Sequence, residues 1–375
     1  MLALKPFGDL FVRLLKMLIV PLVFATLVVG VASISPAKLG RMGGWAILFY
    51  YGTGIIAVSI GLILANVTRI GTGMPIGELA AVEAKAAPAL SQVLLNIVPT
   101  NPVGAMAQGQ ILPIIFFAIL FGIALNLAGK VAEPLYNIID GMANAMFKLV
   151  RIVLYYAPIG VFALIGWTVA KYGAAVLLPF AALIAVCYLG YILHVGITYS
   201  LILRFIAKVN PWKWLTKIKE APIFAFVTCS SSATLPVTMR VCRENTGMSK
   251  ETSGFILPAG STLNMDGTGL YQGVAAIFLA NAFGMDIGIV GNITILITAL
   301  LASIGTAGVP GAGLIMLMVV MGAVGIPLEG VAIIAGIDRI LDMGRTAVNI
   351  IDDTVCAAVI SRFEGEKLSP EVVVG

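Results

Sequence analysis

Residues 338–353, DRILDMGRTAVNIIDD, set four aspartates, two arginines and an asparagine into a chain that is otherwise overwhelmingly apolar. On a helix turning about 100° per residue, Asp338, Asp342, Arg345, Asn349, Asp352 and Asp353 all fall within roughly 60° of one direction. Arg339, about 100° away from Asp338, sits at the edge of that face. Apolar runs flank the segment on both sides, VAIIAGI before it and TVCAAVI after it. A solvated amphipathic helix would not be framed in this way. Ionisable groups at membrane depth are costly and mark a substrate or ion path, so the charged face is expected to line a protein interior or a water-filled cavity.

The rest of the composition agrees. Sixty per cent of the residues are apolar, 11% are charged and the mean hydropathy is +1.05, which excludes an ordinary soluble domain. Uncharged stretches at 17–37, 42–68, 86–129, 152–170, 172–203, 267–285 and 287–328 are each long enough to cross a hydrocarbon core of about 30 Å. The chain therefore reads as an all-α polytopic membrane protein with the lipid bilayer as its solvent. Its net charge of +5 carries no message about nucleic acid. The distribution of charge does: Lys38 and Arg41, the cluster Arg204 to Lys219, Arg240 to Lys250, and Arg362 with Lys367 belong on the cytoplasmic side, and so does the C-terminus. The stretches 282–292 and 320–330 carry no Lys or Arg and belong outside. Cys187, Cys229, Cys242 and Cys356 have neither metal-ligand spacing nor the pattern of a disulfide framework. The single histidine, His194, lies in an apolar run with no acid near it in sequence, which favours helix packing over a proton relay. No cleavable signal peptide precedes the first hydrophobic helix.

Spanning helices are expected at about 7–33, 43–68, 109–129, 138–170, 173–208, 247–282 and 328–362. A shorter apolar piece at 88–108 is interrupted at Pro99–Pro102, and 69–87 reads as an outer loop. Two segments do not behave as plain spans. Residues 221–243 consist of two short apolar arms around a Ser/Thr tip, and 293–325 hold the tip SIGTAGVPGAG (303–313). Non-helical backbone survives at membrane depth only where protein buries it or where it lines a cavity, so both read as re-entrant hairpins. Small residues alone would suggest close helix packing. The serine triplet and the GVPGAG run instead break a helix. Each hairpin precedes a helix with a polar interruption, NMDGT (264–268) after the first and DMGRT (342–346) after the second. Matched pairs of interrupted segments are the sequence mark of an inverted-repeat transporter. In NMDGT an Asp, an Asn, a hydroxyl and a glycine that frees backbone carbonyls make a hard-oxygen cage suited to an alkali cation.

SSSATLPVTMR, NMDGT, SIGTAGVPGAG and DMGRTAVN, in this order and spacing, resemble the glutamate/aspartate:cation symporters of the dicarboxylate/amino acid:cation symporter family, the prokaryotic homologues of the excitatory amino acid transporters. The similarity runs from the first helix to Arg362. Members usually have eight spanning helices, and this chain begins at the second. The resemblance implies a homotrimer of inverted-repeat elevator transporters with no cofactor, sodium as coupling ion and a site in the cell membrane. It divides the chain into a scaffold helix and loop (1–42), a transport-domain helix (43–69), trimerisation helices (70–172), the transport domain (173–362) and a cytoplasmic tail (363–375).

Carried over motif by motif, Asp342 would hold a substrate ammonium and Arg345 a side-chain carboxylate. Ser231, Ser232, Met265, Thr268, Val309, Thr346 and Asn349 would complete the pocket. One sodium site would use Gly260, Asn264, Asn349 and Asp353, and a second Thr262 with the carbonyls of Ser303, Ile304 and Thr306. A third would use Tyr50, Thr53, Asn264 and Asp266. Three departures stand beside these: Gly54 replaces a serine common in relatives and removes an oxygen from the third site; Cys229 stands where many archaeal relatives carry arginine, with Arg339, beside Asp338, as a substitute charge; and Asp352 stands where glycine is common.

The residues themselves favour an amphoteric substrate. Arg345 and Asp342 together need a ligand with an anionic and a cationic end, because each unpaired buried ion would cost several kcal/mol. L-Aspartate or L-glutamate satisfies both. A C4-dicarboxylate would set an anion against Asp342, and a neutral amino acid would leave Arg345 without a partner. Proton coupling in place of sodium stays open. An intramembrane protease is the rival enzyme reading, and it fails because Asp266 lies in an oxygen-ligand motif, Asp342 has an arginine three residues away, and His194 has no nucleophile motif. The amphoteric pocket likewise argues against a simple channel.

Overall fold

The computed structural model describes residues 4–32, 39–74, 95, 98–172, 178–304, 306 and 308–373. The chain enters α1 (Lys5–Ala32), winds through a π turn at Leu39–Gly43 and continues as α2 (Gly44–Thr68). Most of the expected outer loop and of the 88–108 segment lies outside the described residues. From that segment emerges a short α3 (Pro102–Ala107), begun by Pro102 and capped by the Asn101 side chain on the Gly104 N–H. Then follow α4 (Ile111–Ala128) and α5 (Glu133–Tyr172), the latter longer at both ends than the apolar pattern alone required. The expected start of the next span at 173–177 is also outside the described residues, and α6 (Leu178–Leu193) runs on through π turns at His194–Tyr199 and Ile202–Ala207. Four helical stretches among the described residues are long and apolar enough to cross a membrane, namely Lys5–Ala32, Arg41–Thr68, Pro113–Met146 and Leu178–Ala207. Large apolar side chains on them, such as Leu48, Ile63, Val67, Leu127 and Ile192, face outward, as lipid-bathed helices require.

The rest of the chain builds the site. A short α7 (Pro211–Ile218) leads into the first hairpin, α8 (Glu220–Thr228) and α9 (Ser231–Thr246). The expected span at 247–282 is two helices, α10 (Lys250–Leu263) and α11 (Asp266–Ala282), separated by the extended residues Asn264 and Met265. The second hairpin comprises α12 (Gly288–Ile304) and α13 (Ala312–Ala323). The expected 328–362 span is likewise divided. A single-turn-scale α14 (Gly330–Ala335) stops before α15 (Asp338–Phe363), which puts Asp338 at a helix N-terminus, where the macrodipole favours a carboxylate.

Helix α1 packs along α4 and α5, while α2 packs along α11. The last helix is central to a second group, touching α2, α6, α8, α9, α10 and α11. Its burial explains its composition: all the polar residues of the 338–353 segment except Arg339 are buried. The tail turns back on this group. Asn210 N–H donates to the Val372 carbonyl, Ser369 N–H to the Thr246 carbonyl, and Lys217 pairs with Glu371.

Glu366 anchors the tail by accepting from the Ser249 and Thr252 hydroxyls and the Ser249 N–H. Partial burial pushes its carboxyl up, but these donors outweigh burial and hold it below the usual range. A folded-state value that is lowered gives stability that is present above the unfolded value and is lost as pH falls. Glu366→Gln should therefore lower the unfolding temperature at pH 7, by the equivalent of about 1.5 kcal/mol or less for a half-exposed charged acceptor. The gap to wild type should close at about pH 4 or below, read by thermal unfolding in detergent.

Candidate functional site

Arg345 lies at the centre of the polar cluster and is 2% exposed. Its guanidinium forks onto Asp338, with Nη1 to Oδ1 at 2.8 Å and Nη2 to Oδ2 at 3.3 Å, and its Nε donates to Asp342 Oδ1 at 2.9 Å. The three residues occupy successive turns of one face of α15, as the periodicity required. The plane of the guanidinium also lies against Tyr271, with Cζ 4.8 Å from the ring centroid, an arrangement that favours a desolvated cation. Asp342 accepts further from the Thr346 hydroxyl at 3.0 Å and from the Gly311 N–H at 2.9 Å. Gly311 has φ +79°, a conformation that favours glycine, and this turn is what aims its N–H at the carboxylate. Two residues on, a Cβ at position 313 would stand 2.8 Å from Arg345 Cζ, so only a glycine lets the second hairpin lie against the guanidinium.

The two hairpin tips meet over this cluster. Helix α8 ends at Cys229, which adopts a left-handed φ of +54°, and Ser230 then extends the chain and caps α9 by accepting the Ala233 N–H. The Ser230 hydroxyl donates to the Gly308 carbonyl at 2.7 Å, and Ser232 N–H reaches the same carbonyl at 3.1 Å. Gly308 approaches so closely that a Cβ there would be 2.7 Å from Ser232 Oγ and 3.0 Å from the Ser261 carbonyl. Ser231 is buried, Ser232 is exposed and Val309 is intermediate, beside residues 305 and 307 that are outside the described set. Arg339 is exposed and donates to the Val227 carbonyl at 3.0 Å, next to Cys229, so its charge caps the first hairpin's leading arm.

Beneath the tips, the break between α10 and α11 is stitched to α15. Asn349 Oδ1 accepts the Gly267 N–H at 2.8 Å, and its Nδ2 contacts Thr268 Oγ1 at 3.2 Å and Met265 Sδ at 3.1 Å. Asn349 therefore turns toward Met265, Gly267 and Thr268 rather than toward Asp353. Asn264 Nδ2 donates to Asp353 Oδ1 at 3.1 Å, and the same oxygen occupies the place a Cβ at Gly260 would take. Gly260, Asn264 and Asp353 are thus in contact. Thr262 is exposed and its hydroxyl returns to the Ala259 carbonyl. The hydroxyls of Ser303 and Thr306 likewise return to the carbonyls of Leu300 and Ala302 near the end of α12, where Ile304 closes the helix. Helices α10 and α12 touch, but among the described residues no hydrogen bond joins Thr262 to the end of α12 or to Thr306.

The third group has a different arrangement. Tyr50 donates to the Ile256 carbonyl at 3.1 Å and Thr53 to the Phe49 carbonyl at 3.0 Å. Asp266 Oδ2 is held by His194 Nε2 at 3.0 Å and by the Tyr199 hydroxyl at 3.3 Å. The expectation that His194 only packs is corrected here: its acidic partner is 72 residues away in sequence, so no local pattern could reveal it. The π turn is the reason both rings face one carboxylate. On an α-helix residues five apart diverge by about 140°, whereas the wider i→i+5 winding brings them to one side. Their rings stand 4.5 Å apart, edge to face. The contacts of Tyr271, Gly311 and Gly313 with the Arg345 cluster were not foreseen in the sequence, where Gly311 and Gly313 were read only as part of the helix-breaking GVPGAG run and Tyr271 lies three residues after Thr268 in the same helix.

The model of the sodium:dicarboxylate symporter family matches residues 1–363. The proton/sodium-glutamate symport protein of Geobacillus stearothermophilus is 38% identical over 373 residues, 97% of this chain and 88% of that protein. The proton/glutamate-aspartate symporter of Escherichia coli (strain K12) is 38% identical over 96% of this chain and 85% of its own length. A C4-dicarboxylate transport protein of Laribacter hongkongensis is 36% identical over 99% and 87%.

The stitching of α11 to α15 is open to a direct test. A Cβ at Gly267 would coincide with the Arg345 carbonyl, a backbone atom that cannot swing aside, whereas one at Gly52 would meet nothing. Gly267→Ala should destabilise by about 1–3 kcal/mol. Gly52→Ala, on an exposed helical surface, should be neutral or stabilising by up to about 1 kcal/mol. Equal unfolding temperatures for the two variants in detergent would refute the close approach.

Proposed function

The chain belongs to the sodium:dicarboxylate symporter family, and from that premise we propose that it takes up an acidic amino acid, L-aspartate or L-glutamate, together with sodium. Cation-coupled symport of acidic substrates is the activity of the family. The choice of an amino acid rests on one observation: the buried cation Arg345 and the carboxylate of Asp342 share a face of α15 and are already hydrogen-bonded to each other. An inserted acidic amino acid keeps both ends of that pair compensated, with its side-chain carboxylate on the guanidinium fork and its ammonium on Asp342. A dicarboxylate would put two like charges together at Asp342.

In this reading Asp338 keeps Arg345 charged and aimed when the site is empty. The Gly311 N–H that now reaches Asp342 is displaced or re-aimed as the ammonium arrives, so hairpin 2 senses substrate and serves as the gate. Ser231 and Ser232, Met265, Thr268, Val309, Thr346 and Asn349 line the remainder of the pocket. Sodium ions occupy the oxygen-rich breaks, one at Gly260, Asn264, Asn349 and Asp353 and one at Thr262 with the carbonyls of Ser303, Ile304 and Thr306. A third site would draw on Tyr50, Thr53, Asn264 and Asp266. We further propose an elevator in a homotrimer, in which the α1, α4 and α5 group is the static scaffold and the group around α15 moves. The packing of α1 with α4 and α5, and of α15 with the first hairpin and with α10 and α11, supports that division, while the second hairpin also lies against α1 and α4. The inside-negative membrane potential would contribute about 2.3 kcal/mol per 100 mV for each net charge carried inward.

Two substitutions test the reading by calorimetry on purified protein. Asp342→Asn keeps shape and hydrogen-bonding capacity but deletes the charge that meets the ammonium. Aspartate affinity should fall by about 1.5–3 kcal/mol, tens- to hundreds-fold, while succinate loses less or gains. Equal weakening of both ligands would make Asp342 a structural residue and remove the case for an amino acid. Arg345→Cys should abolish binding of acidic amino acids, and unchanged aspartate affinity would sink the assignment.

A further inference from the structure

Three buried acceptor atoms near the α10–α11 break have no hydrogen-bond partner: both carboxylate oxygens of Asp352 and Oδ1 of Asn264. Asp352 is 0% exposed and Asn264 1% exposed. Asp352 lies alongside Asp266 and the Asn264 amide, with Asp353 and Tyr199 also in its surroundings. From each packed element, then, the groups near Asp352 are Tyr50 on α2, Tyr199 on the π turn of α6, Asn264 and Asp266 at the break, and Asp353 and Cys356 on α15, with His194 behind Asp266. The donors among them are committed elsewhere. Tyr50 donates to Ile256, Tyr199 and His194 to Asp266, and Asn264 Nδ2 to Asp353. What remains is a cluster of oxygen acceptors that outnumber their donors, because the Asn264 amide and the Tyr199 hydroxyl beside Asp352 are aimed at Asp353 and Asp266, and a protein interior does not tolerate such a cluster uncompensated.

We propose that Asp352 is a ligand for a coupled sodium ion, which it holds together with Asn264 Oδ1 and Asp266. The inference rests on the cation-coupled reading above and adds to it a residue that none of the three sodium sites named there uses. Its logic is one of substitution. Position 54 lies near Asp266: a Cβ there would be 3.4 Å from Asp266 Oδ1 and 2.7 Å from the end of the Leu300 side chain, which has to turn aside for a serine, and glycine at this position brings no oxygen to the site. Asp352, on α15, supplies a carboxylate beside Asp266. A cavity of about 60 Å³ reaches Asp266 from the α2 side, lined also by Tyr50, Tyr51, Met265 and Ser303, and gives a small ion a place of entry. Among the described residues no three carboxylate, thiol or imidazole side chains converge tightly enough to chelate a metal.

The test follows thermal unfolding of the purified protein without substrate, titrated with NaCl against choline chloride at constant ionic strength and at several pH values. A ligand that binds only the folded form stabilises it by mass action. The sodium midpoint should rise at least ten-fold in Asp352→Asn, and the Hill slope for sodium in aspartate binding should fall by about one ion. In Asp352→Gly, which changes the side chain further, adding Gly54→Ser should restore part of the sodium response by returning an oxygen to the same pocket. Sodium-dependent aspartate binding that is unaltered by Asp352→Asn overturns this inference alone. A wild-type protein that binds aspartate without any response to sodium overturns it together with the sodium part of the functional reading. A loss of pH dependence with the sodium midpoint unchanged also overturns it, because Asp352 would then hold a proton.

Discussion

The structure turns on the burial of one guanidinium. Arg345 is 2% exposed inside a membrane protein, and nothing would hold it there without Asp338 and Asp342 on the preceding turns of the same helix. Removing the guanidinium would leave two buried carboxylates uncompensated, a loss of about 3–5 kcal/mol. Much of the surrounding sequence serves that pair. Gly313 lets the second hairpin lie flat on the guanidinium, Gly267 lets the start of α11 reach the Arg345 carbonyl, and Tyr271 covers its face. The charged face of α15 can therefore sit in the middle of the helical group rather than at its edge.

The same pair links charge to movement. Asp342 is bonded to Arg345 and Thr346 on its own helix and to Gly311 on the second hairpin. A ligand that competes for Asp342 necessarily alters what holds the hairpin. The first hairpin is tied in through the Gly308 carbonyl, which receives both the Ser230 hydroxyl and the Ser232 N–H. The two tips thus share one backbone acceptor, and a displacement of the second tip from the site must break bonds to the first. Coupling between substrate and gate then needs no long pathway, only competition for acceptors within a few ångströms.

Much of this was legible in the sequence, for identifiable reasons. The polar face of α15 follows from helical periodicity, which is a strong signal when charges are rare and the background is apolar. The hairpins could be read because serine triplets and GVPGAG runs break helices where lipid would forbid loose backbone. The helix breaks were less legible: NMDGT announced one, but Gly336 and Ile337, which separate α14 from α15, carry no polar mark. What was hidden depended on distant partners. His194 meets Asp266 only because α6 changes to π winding, a feature without a composition signature. Arg339, expected to lend its charge to the site, instead caps a hairpin carbonyl, because it projects from the edge of the helical face that the periodicity had already marked.

The central claim is that a compensated Arg345–Asp342 pair selects an amphoteric substrate and that a cation gradient drives its uptake. The most direct measurement is accumulation of radiolabelled L-aspartate in proteoliposomes under an inward sodium gradient and an inside-negative potential, with labelled succinate in parallel. The account predicts that aspartate accumulates above equilibrium only when sodium is outside, that a proton gradient alone does not replace it, and that succinate binds far more weakly and does not accumulate. Accumulation of succinate to the same level as aspartate would contradict it.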